Sequence, residues 1–304
     1  MSPKRIILDT DIGADVDDCL ALALILASPE LELLAVTTVY GDVALRGRMA
    51  LKLLRLRGAA GVPVALGAAR PLLGRPPVYW AGHEGEGLLE PDDAALRPAD
   101  EHAVDLIVRT VMTRPGEVTL VAIGPLTNVA LAFSREPRLA ANLAGLTLMG
   151  GVVGGTHALE LPWVEHNFRC DPEAAHIVLS AGAAPTIVPL DVTTQVRIRP
   201  DDVARIGAAG DPFHAAVADQ VTRYPRYARR GWTNLHDPLA VATVIDPTLV
   251  RCEPVRAVVE TVGEHTAGAL LAAAPTPDAP ATARIALAVD AARAERFIID
   301  RLAQ

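Results

Sequence analysis

The sequence predicts an α/β protein with an open, mainly parallel, Rossmann-like sheet flanked by helices. Short β-branched and apolar runs alternate with helical patterns along most of the 304 residues, which is typical of repeated βαβ units. Most of the predicted strands also run into a polar or glycine-rich turn. Because ligands of open parallel sheets bind outside the carboxyl ends of the strands, we expect these turns to form one shared crevice.

The predicted elements follow one another in a regular order. Strands are expected at residues 5–8, 33–39, 62–66, 118–123, 146–149 and 186–190, and helices near residues 18–27, 43–57, 101–113, 126–133, 172–181 and 211–228. The region after residue 250 is expected to add a strand pair and a closing helix, Ala291–Leu302. Since no linker divides the chain, residues 1–304 are predicted to form a single domain. The irregular stretches 67–100 and 150–170 are expected to act as lids or substrate loops.

The composition favours a small-molecule partner. The formal net charge of −8 argues against a nucleic-acid-binding protein, which would need a basic face. Cys19, Cys170 and Cys252 are far apart, so neither a disulfide framework nor a zinc site is indicated. No signal peptide is recognised, and no apolar run approaches the ~18 residues of a membrane span. We therefore expect a cytoplasmic protein with no membrane or nucleic-acid partner.

Five aspartates follow the first predicted strand: Asp9, Asp11, Asp15, Asp17 and Asp18. Like charges this close repel one another and are costly to bury, so a bound cation would be needed to neutralise them. In the absence of nearby Cys or paired His residues, carboxylates favour Ca²⁺ or Mg²⁺ over zinc or iron. The alternative is a solvated acidic turn, in which Asp17 and Asp18 cap the following helix.

A second polar group lies at the start of an apolar helix and contains His236, Asp237 and Pro238. An aspartate before a proline at the first helical position is typical of an N-cap, and this would explain Asp237. It would not explain His236. An imidazole beside a carboxylate is an alternative source of a general acid and a metal ligand.

Several motifs occur along the chain in a defined order. They are Asp9-Thr10-Asp11 with Asp17-Asp18, Val36-Thr37-Thr38-Val39-Tyr40-Gly41, Gly124-Pro125-Leu126-Thr127-Asn128, Leu148-Met149-Gly150-Gly151, Glu165-His166-Asn167, Val188-Pro189-Leu190-Asp191-Val192-Thr193 and His236-Asp237-Pro238-Leu239-Ala240. In this order they resemble the motifs of the inosine-uridine preferring nucleoside hydrolase family over nearly the whole chain. The resemblance implies the nucleoside hydrolase fold and hydrolysis of the N-glycosidic bond of ribonucleosides to free base and ribose.

The resemblance also implies a set of site residues. Ca²⁺ would be held by Asp11, Asp18, the backbone carbonyl of Thr127, and Asp237, with ribose hydroxyls and one water completing its shell. Asp11 would be the general base that activates this water, and His236 would protonate or polarise the leaving base. The groups expected to contact the substrate are Asp17, Asp42, His83, Glu165, His166, Asn167 and Trp232. The anionic cluster would stabilise an oxocarbenium-like transition state.

The chain departs from the family pattern at several positions. The first turn is two residues longer, which adds Asp15; Asp17 and Asp18 are matched to the paired family aspartates because they open the next helix. Asp15 in place of one of them is the alternative. Asp42 stands where Asn is usual, and His166 stands where an aromatic or apolar residue is usual.

Aromatic side chains are candidates for stacking on a nucleobase. The candidates are Trp163, His166, Tyr224, Tyr227 and Trp232. Their positions do not indicate whether a purine or a pyrimidine is preferred. Members of the family are commonly dimers or tetramers, so the resemblance implies a homodimer or homotetramer.

Two other functions are compatible with parts of the sequence. A catalytically impaired homologue would bind nucleosides or calcium without turnover. A metal-dependent phosphatase could also begin with an aspartate-rich turn, but it would need a cation to neutralise phosphate. The two lysines, Lys4 and Lys52, are both expected on the surface, and the turns around Thr127 and Asp237 have no role in that reaction.

Overall fold

A nine-stranded open sheet organises the computed structural model, which describes residues 2–154 and 161–304. Its strands are β1 (Lys4–Thr10), β2 (Leu31–Thr38), β3 (Val64–Leu66), β4 (Val118–Ala122), β5 (Gly145–Met149), β6 (Thr186–Val188), β9 (Val250–Val259), β10 (Leu270–Ala273) and β11 (Ala283–Val289). A separate antiparallel pair is formed by β7 (Arg197–Ile198) and β8 (Thr233–Asn234). Part of the predicted loop 150–170, residues 155–160, lies outside the described residues.

The strand order is β3-β2-β1-β4-β5-β6-β11-β9-β10. All pairings from β3 to β11 are parallel, and β9 and β10 add an antiparallel edge. The predicted fold class is therefore confirmed. The order places β1 beside β4, where the chain reverses its direction of winding, and in open sheets this switch point opens a crevice outside the carboxyl ends.

Helices cover both faces of the sheet. They are α1 (Asp17–Leu26), α2 (Val43–Leu56), α3 (Ala103–Met112), α4 (Thr127–Arg135), α5 (Leu139–Asn142), α6 (His166–Cys170), α7 (Pro172–Ser180), α8 (Leu190–Thr193), α9 (Pro200–Gly207), α10 (Pro212–Arg223), α11 (Pro225–Arg230), α12 (His236–Ile245) and α13 (Ala291–Leu302). Short 3-10 turns occur at Pro91–Ala95 and Pro247–Leu249. Helix α1 is apolar along nearly its whole length because it packs against α2, α10, α12 and α13 as well as the sheet.

The structure differs from the predictions in several places, and it contains the unpredicted elements α5, α6, α8, α9, β7 and β8. The helix predicted at 211–228 is two helices, because Pro225 cannot donate a backbone hydrogen bond and starts α11 instead. The late region has three strands where a pair was predicted. Lys52, expected on the surface, is buried in an ion pair with Asp93 at 2.7 Å.

No helix within the described ranges is both long enough and apolar enough to cross a membrane.

Candidate active site

Asp9 fixes the start of the turn that follows β1. Its carboxylate accepts hydrogen bonds from Thr37 and from Asn128, the latter at 2.8 Å. Asn128 also donates to the carbonyl of Thr38 and accepts from the Ala68 amide, so its side chain joins the ends of β1, β2 and the segment after β3. Burial raises the pKa of Asp9 to about 7. The tightly connected strand ends hold the next residues of the turn in place.

Three buried carboxylates meet at the start of two helices. Asp17 and Asp18 open α1, Asp237 lies in the first turn of α12, and each offers an oxygen within 4.8 Å of the others. The Asp237 amide donates to Asp17 Oδ2 at 3.2 Å, which ties the two helices together. Burial and mutual repulsion raise the pKa of all three well above the ordinary aspartate value. We call these three residues the carboxylate cluster.

Asp11 lies beside the carboxylate cluster and is 6% exposed. After burial, its charge is the next cause of the raised pKa of Asp18. The turn after β4 approaches it so closely that a Cβ at Gly124 would lie 2.8 Å from Asp11 Oδ1, which explains the glycine. Thr127 begins α4 and donates its hydroxyl to Asp171 at 2.6 Å. Its backbone carbonyl as a metal ligand stays a prediction.

Neither acidic turn acts as the side-chain cap that one interpretation of the sequence suggested. The N-cap of α1 is Val16, and that of α12 is Leu235; neither makes a side-chain capping bond among the residues described. Helix α12 begins at His236, so Pro238 is its third residue instead of its first, and the predicted N-cap at Asp237 is wrong. The carboxylates are instead turned toward one another.

His236 is the first residue of α12 and lies partly buried next to the carboxylate cluster. Its Nδ1 lies 2.7 Å from the Thr193 hydroxyl, which follows β6. Burial lowers the pKa of His236 to about 4, so the imidazole is neutral near pH 7. Its place in the first turn of a helix acts in the same direction. A neutral ring held through Nδ1 presents Nε2 to other partners.

Asp15, the additional aspartate of the long turn, does not belong to the carboxylate cluster, but its charge contributes to the raised pKa of all three cluster residues. Its Oδ2 accepts a hydrogen bond from the Tyr224 hydroxyl at 2.6 Å, and its Oδ1 accepts one from the Val16 amide at 2.7 Å. The His83 ring lies 6.3 Å from the Tyr224 ring. These residues form one side of the crevice, next to a small cavity of about 40 Å³.

Glu165 and Asn167 lie at the carboxyl ends of β4 and β5. Glu165 is the N-cap of α6, where its carboxylate accepts from the amides of Gly151, Asn167 and Phe168 at 2.7–3.1 Å. The Asn167 amide nitrogen donates to the carbonyls of Ile123 and Met149. Both side chains therefore support the crevice structurally, and their predicted contacts with ribose stay predictions.

The remaining predicted substrate residues are more dispersed. His166 is exposed and lies edge-on to Tyr40 and Tyr79, with ring centroids 6.3 and 5.9 Å away. Asp42 is exposed and caps α2 through the Leu45 amide at 2.9 Å. Trp232 packs under Arg197, whose guanidinium lies 4.2 Å from the ring centroid. This stacking gives Trp232 a packing role.

The site contains one residue that sequence reasoning missed entirely, Arg46. It lies in α2, and its Nη2 is 3.9 Å from Asp11 Oδ2. Within the run of Arg and Leu residues around it, nothing distinguishes Arg46 from a surface arginine. The network through Asn128 and Asp171 was also missed, since Asn128 had no assigned role in its motif.

Comparison with known proteins agrees with this geometry. The family model described as inosine-uridine preferring nucleoside hydrolase matches residues 6–296. The chain is 38% identical over 276 residues to the pyrimidine-specific ribonucleoside hydrolase RihA of Shewanella woodyi, covering 87% of this chain and 86% of that protein. It is 37% identical over 282 residues to the inosine-uridine preferring nucleoside hydrolase of Crithidia fasciculata, covering 89% and 88%.

Solved structures show the same relationship. The chain superposes on the purine-preferring ribonucleoside hydrolase from Gardnerella vaginalis with a TM-score of 0.88 at 31% identity, covering 99% of this chain and 98% of that one. These relatives differ in the bases that their names give. The resemblance found in the motifs is confirmed, because the match runs across nearly the whole chain. The chain therefore belongs to the inosine-uridine preferring nucleoside hydrolase family and is an enzyme that hydrolyses ribonucleosides.

Proposed function

We propose that this enzyme cleaves the N-glycosidic bond of ribonucleosides, to free base and ribose, in a calcium-dependent reaction at the carboxylate cluster. The observation that carries the proposal is the meeting of Asp17 and Asp237, 220 residues apart in the chain, at the carboxyl edge of the sheet. Buried carboxylates with raised pKa values are costly unless a ligand compensates them, since the Arg46 guanidinium offsets only part of their charge. A cation would do so.

The donor chemistry fits calcium. The groups are aspartate oxygens, which hard divalent cations prefer, and no Cys or His belongs to the group of three. Asp11, Asp18, Asp237 and the Thr127 carbonyl would hold the ion. When bound, Ca²⁺ would offset the clustered charge, orient neighbouring hydroxyl groups and lower the pKa of water.

The protein groups would divide the reaction between them. Asp11 accepts a proton from the water that attacks C1′. It has this role because it lies next to the carboxylate cluster, with Gly124 and the Arg46 guanidinium packed close to it. The anionic surroundings stabilise the positive charge that develops on the ribose ring. Asp17, Glu165 and Asn167 contact the ribose hydroxyls in this arrangement. They lie at the starts of α1 and α6, and the hydrogen bonds that hold Glu165 and Asn167 limit the reorganisation needed during the reaction.

The leaving base departs on the side of His236. The low pKa of His236 favours polarisation of the base through a neutral N–H over full proton donation by an imidazolium. In this proposal the base side of the crevice includes His83, His166 and Trp232. Asp42 contacts the substrate at the end of β2.

A nucleoside panel with detection of free ribose tests the proposal. Inosine, adenosine, guanosine, uridine and cytidine are incubated with the enzyme after chelation, and again after calcium is restored. We expect ribose only in the second series, at a rate independent of added phosphate. Ribose 1-phosphate as the product would contradict hydrolysis, and ribose release in the presence of chelator would contradict the metal requirement. Binding of nucleosides without any release would favour a catalytically impaired homologue.

The assembly and location of the enzyme belong to the same proposal. We expect a homodimer or homotetramer, as implied by the family, and light scattering of the purified protein measures this. We also expect it to act in the cytoplasm. Its cysteines Cys19, Cys170 and Cys252 are all free, which is typical of a reducing compartment.

A further inference from the structure

Arg46 is a charged residue buried in the floor of the crevice. Its exposed fraction is 0%, and it is among the largest fully buried side chains of the described residues. Burying a guanidinium is expensive unless its donors and its charge have partners. Nothing in the sequence pattern explains a buried arginine near the start of α2, so the groups that contact its side chain must explain it.

Two of the Arg46 donors join the turns that form the crevice. Its Nε donates to the carbonyl of Tyr40 at 2.6 Å, and its Nη1 donates to the carbonyl of Ile12 at 2.8 Å. Tyr40 and Gly41 both have positive φ, 66° and 77°, so the turn after β2 adopts an unusual path. The Trp80 ring covers the guanidinium at 5.2 Å. Arg46 therefore holds the turn after β1 against the turn after β2.

The third donor has no hydrogen-bond partner among the residues described. Nη2 of Arg46 is buried, and it lies 3.9 Å from Asp11 Oδ2. An unsatisfied buried donor is destabilising. The distance is too long for a hydrogen bond but short enough for a charge interaction in a partly dry site.

We propose that Arg46 is a positioning residue for Asp11, which it holds in place between the two turns while reducing the net negative charge of the crevice. This rests on the proposed function, in which Asp11 takes the proton from water. A fixed carboxylate is worth more to the reaction than a mobile one because it needs no reorganisation. The same positive charge opposes a cation at the neighbouring aspartates, so Arg46 lowers calcium affinity.

These two effects have opposite signs, which separates positioning from simple structural support. Arg46→Gln removes the charge and retains an amide donor. We expect its turnover number to fall about tenfold or more, with little change in KM. We also expect it to bind calcium several-fold more tightly than the unmodified enzyme. If Arg46 only supported the fold, Arg46→Gln would lose calcium affinity and turnover together. Its melting temperature in chelator would also fall.

The experiment compares Arg46→Gln with Arg46→Lys and with Arg48→Gln. Arg48 is the matched control, two residues further along α2 and partly exposed. Calorimetric calcium titration, melting temperature and inosine kinetics are measured for each protein. Arg46→Lys keeps the positive charge but loses the planar guanidinium with its several donors. Its calcium affinity should therefore stay near that of the unmodified enzyme, while its turnover should still be reduced. Arg48→Gln should resemble the unmodified enzyme in all three measurements.

The titration also keeps this inference separate from the proposed function. If the unmodified enzyme binds calcium but releases no ribose from any nucleoside, the proposed function fails, and tighter calcium binding by Arg46→Gln still supports the charge effect. Unchanged or weaker calcium binding by Arg46→Gln would overturn the inference, as would unchanged turnover in an active enzyme. Should Arg46→Gln fail to fold, undiminished turnover in Arg46→Lys would overturn it as well.

Discussion

Two groups of buried aspartates in this molecule have opposite electrostatics. Asp93 receives charged hydrogen bonds from Lys52, at 2.7 Å, and from Arg55. Burial alone would raise the pKa of Asp93, but these cations hold it below its ordinary value. In the carboxylate cluster the same residue type has a raised pKa, because burial and neighbouring carboxylates outweigh the opposing charge of Arg46 near Asp18.

The difference teaches how to tell a structural acid from a functional one. Asp93 fastens a 3-10 turn to α2 and carries its own neutralising partners, so it is complete without a ligand. The carboxylate cluster is incomplete in this sense. Perturbed pKa values in a crevice whose carboxylates are only partly compensated are typical of sites that act on a ligand. The comparison therefore predicts that variants at the two places have different consequences.

The largest expected effect is on turnover by Asp11→Ala. We expect a loss beyond the ~10²–10⁴ typical of a general base, because this change also removes a proposed calcium ligand. The measurement is ribose release from inosine at saturating calcium. Asp93→Asn is the contrasting variant and should keep its turnover at temperatures where it is folded. Equal losses in the two variants would remove the functional distinction between the two groups.

The second effect concerns calcium affinity. Asp18→Ala and Asp237→Ala should each weaken binding by more than the ~10–100-fold that loss of an outer-shell group costs, because each removes a direct anionic ligand. Calorimetric titration measures this, with Asp93→Asn expected to match the unmodified enzyme. Unchanged affinity in both cluster variants would show that calcium does not bind there.

The third effect tests the departure of the base. His236→Ala should lower turnover of inosine about 10²-fold but should leave hydrolysis of p-nitrophenyl riboside nearly unchanged, since that leaving group needs no proton. Parallel steady-state assays on the two substrates measure the difference. If both rates fall equally, His236 has a structural role through Thr193, and the group that assists the base must be sought at His83 or His166.

The smallest effect is on stability, and its sign differs between the two groups. In chelator at pH 7, Asp93→Asn should lower the free energy of unfolding by about 1–3 kcal/mol, whereas Asp18→Asn should raise it by removing a repelled charge. The pKa of Asp93 is lower in the folded protein than in the unfolded chain. Its contribution to stability is therefore present above the unfolded pKa of ~3.9 and is lost as the pH falls below that value and through the folded pKa.

Denaturant titrations at pH 7 and pH 3 measure both changes. The difference between the unmodified enzyme and Asp93→Asn should be smaller at the lower pH. The gain in Asp18→Asn should also shrink there, because the raised pKa of Asp18 means that it is already protonated in the folded protein. Destabilisation by Asp18→Asn in chelator would contradict the account of the carboxylate cluster as an uncompensated group.

Local patterns predicted the strand and helix positions well. The predicted and observed strands from β1 to β6 overlap throughout, since alternation of short apolar runs with helical periods is a property of the sequence itself. The predictions were less accurate where neighbours decide the outcome. Lys52 seemed a surface residue until the 3-10 turn at Pro91–Ala95 brought Asp93 to it, and no local pattern encodes that approach.

The sequence by itself determined the fold class, the aspartate-rich turn and the family, because turns, periodicity and motif order are all written along the chain. Only the tertiary structure decided which carboxylates meet. Packing of α12 against α1 joins Asp237 to Asp17 and Asp18, while Tyr224, between α10 and α11, donates a hydrogen bond to Asp15. The reason is physical: burial and repulsion act through distance in space, which depends on how the helices pack and not on spacing along the chain.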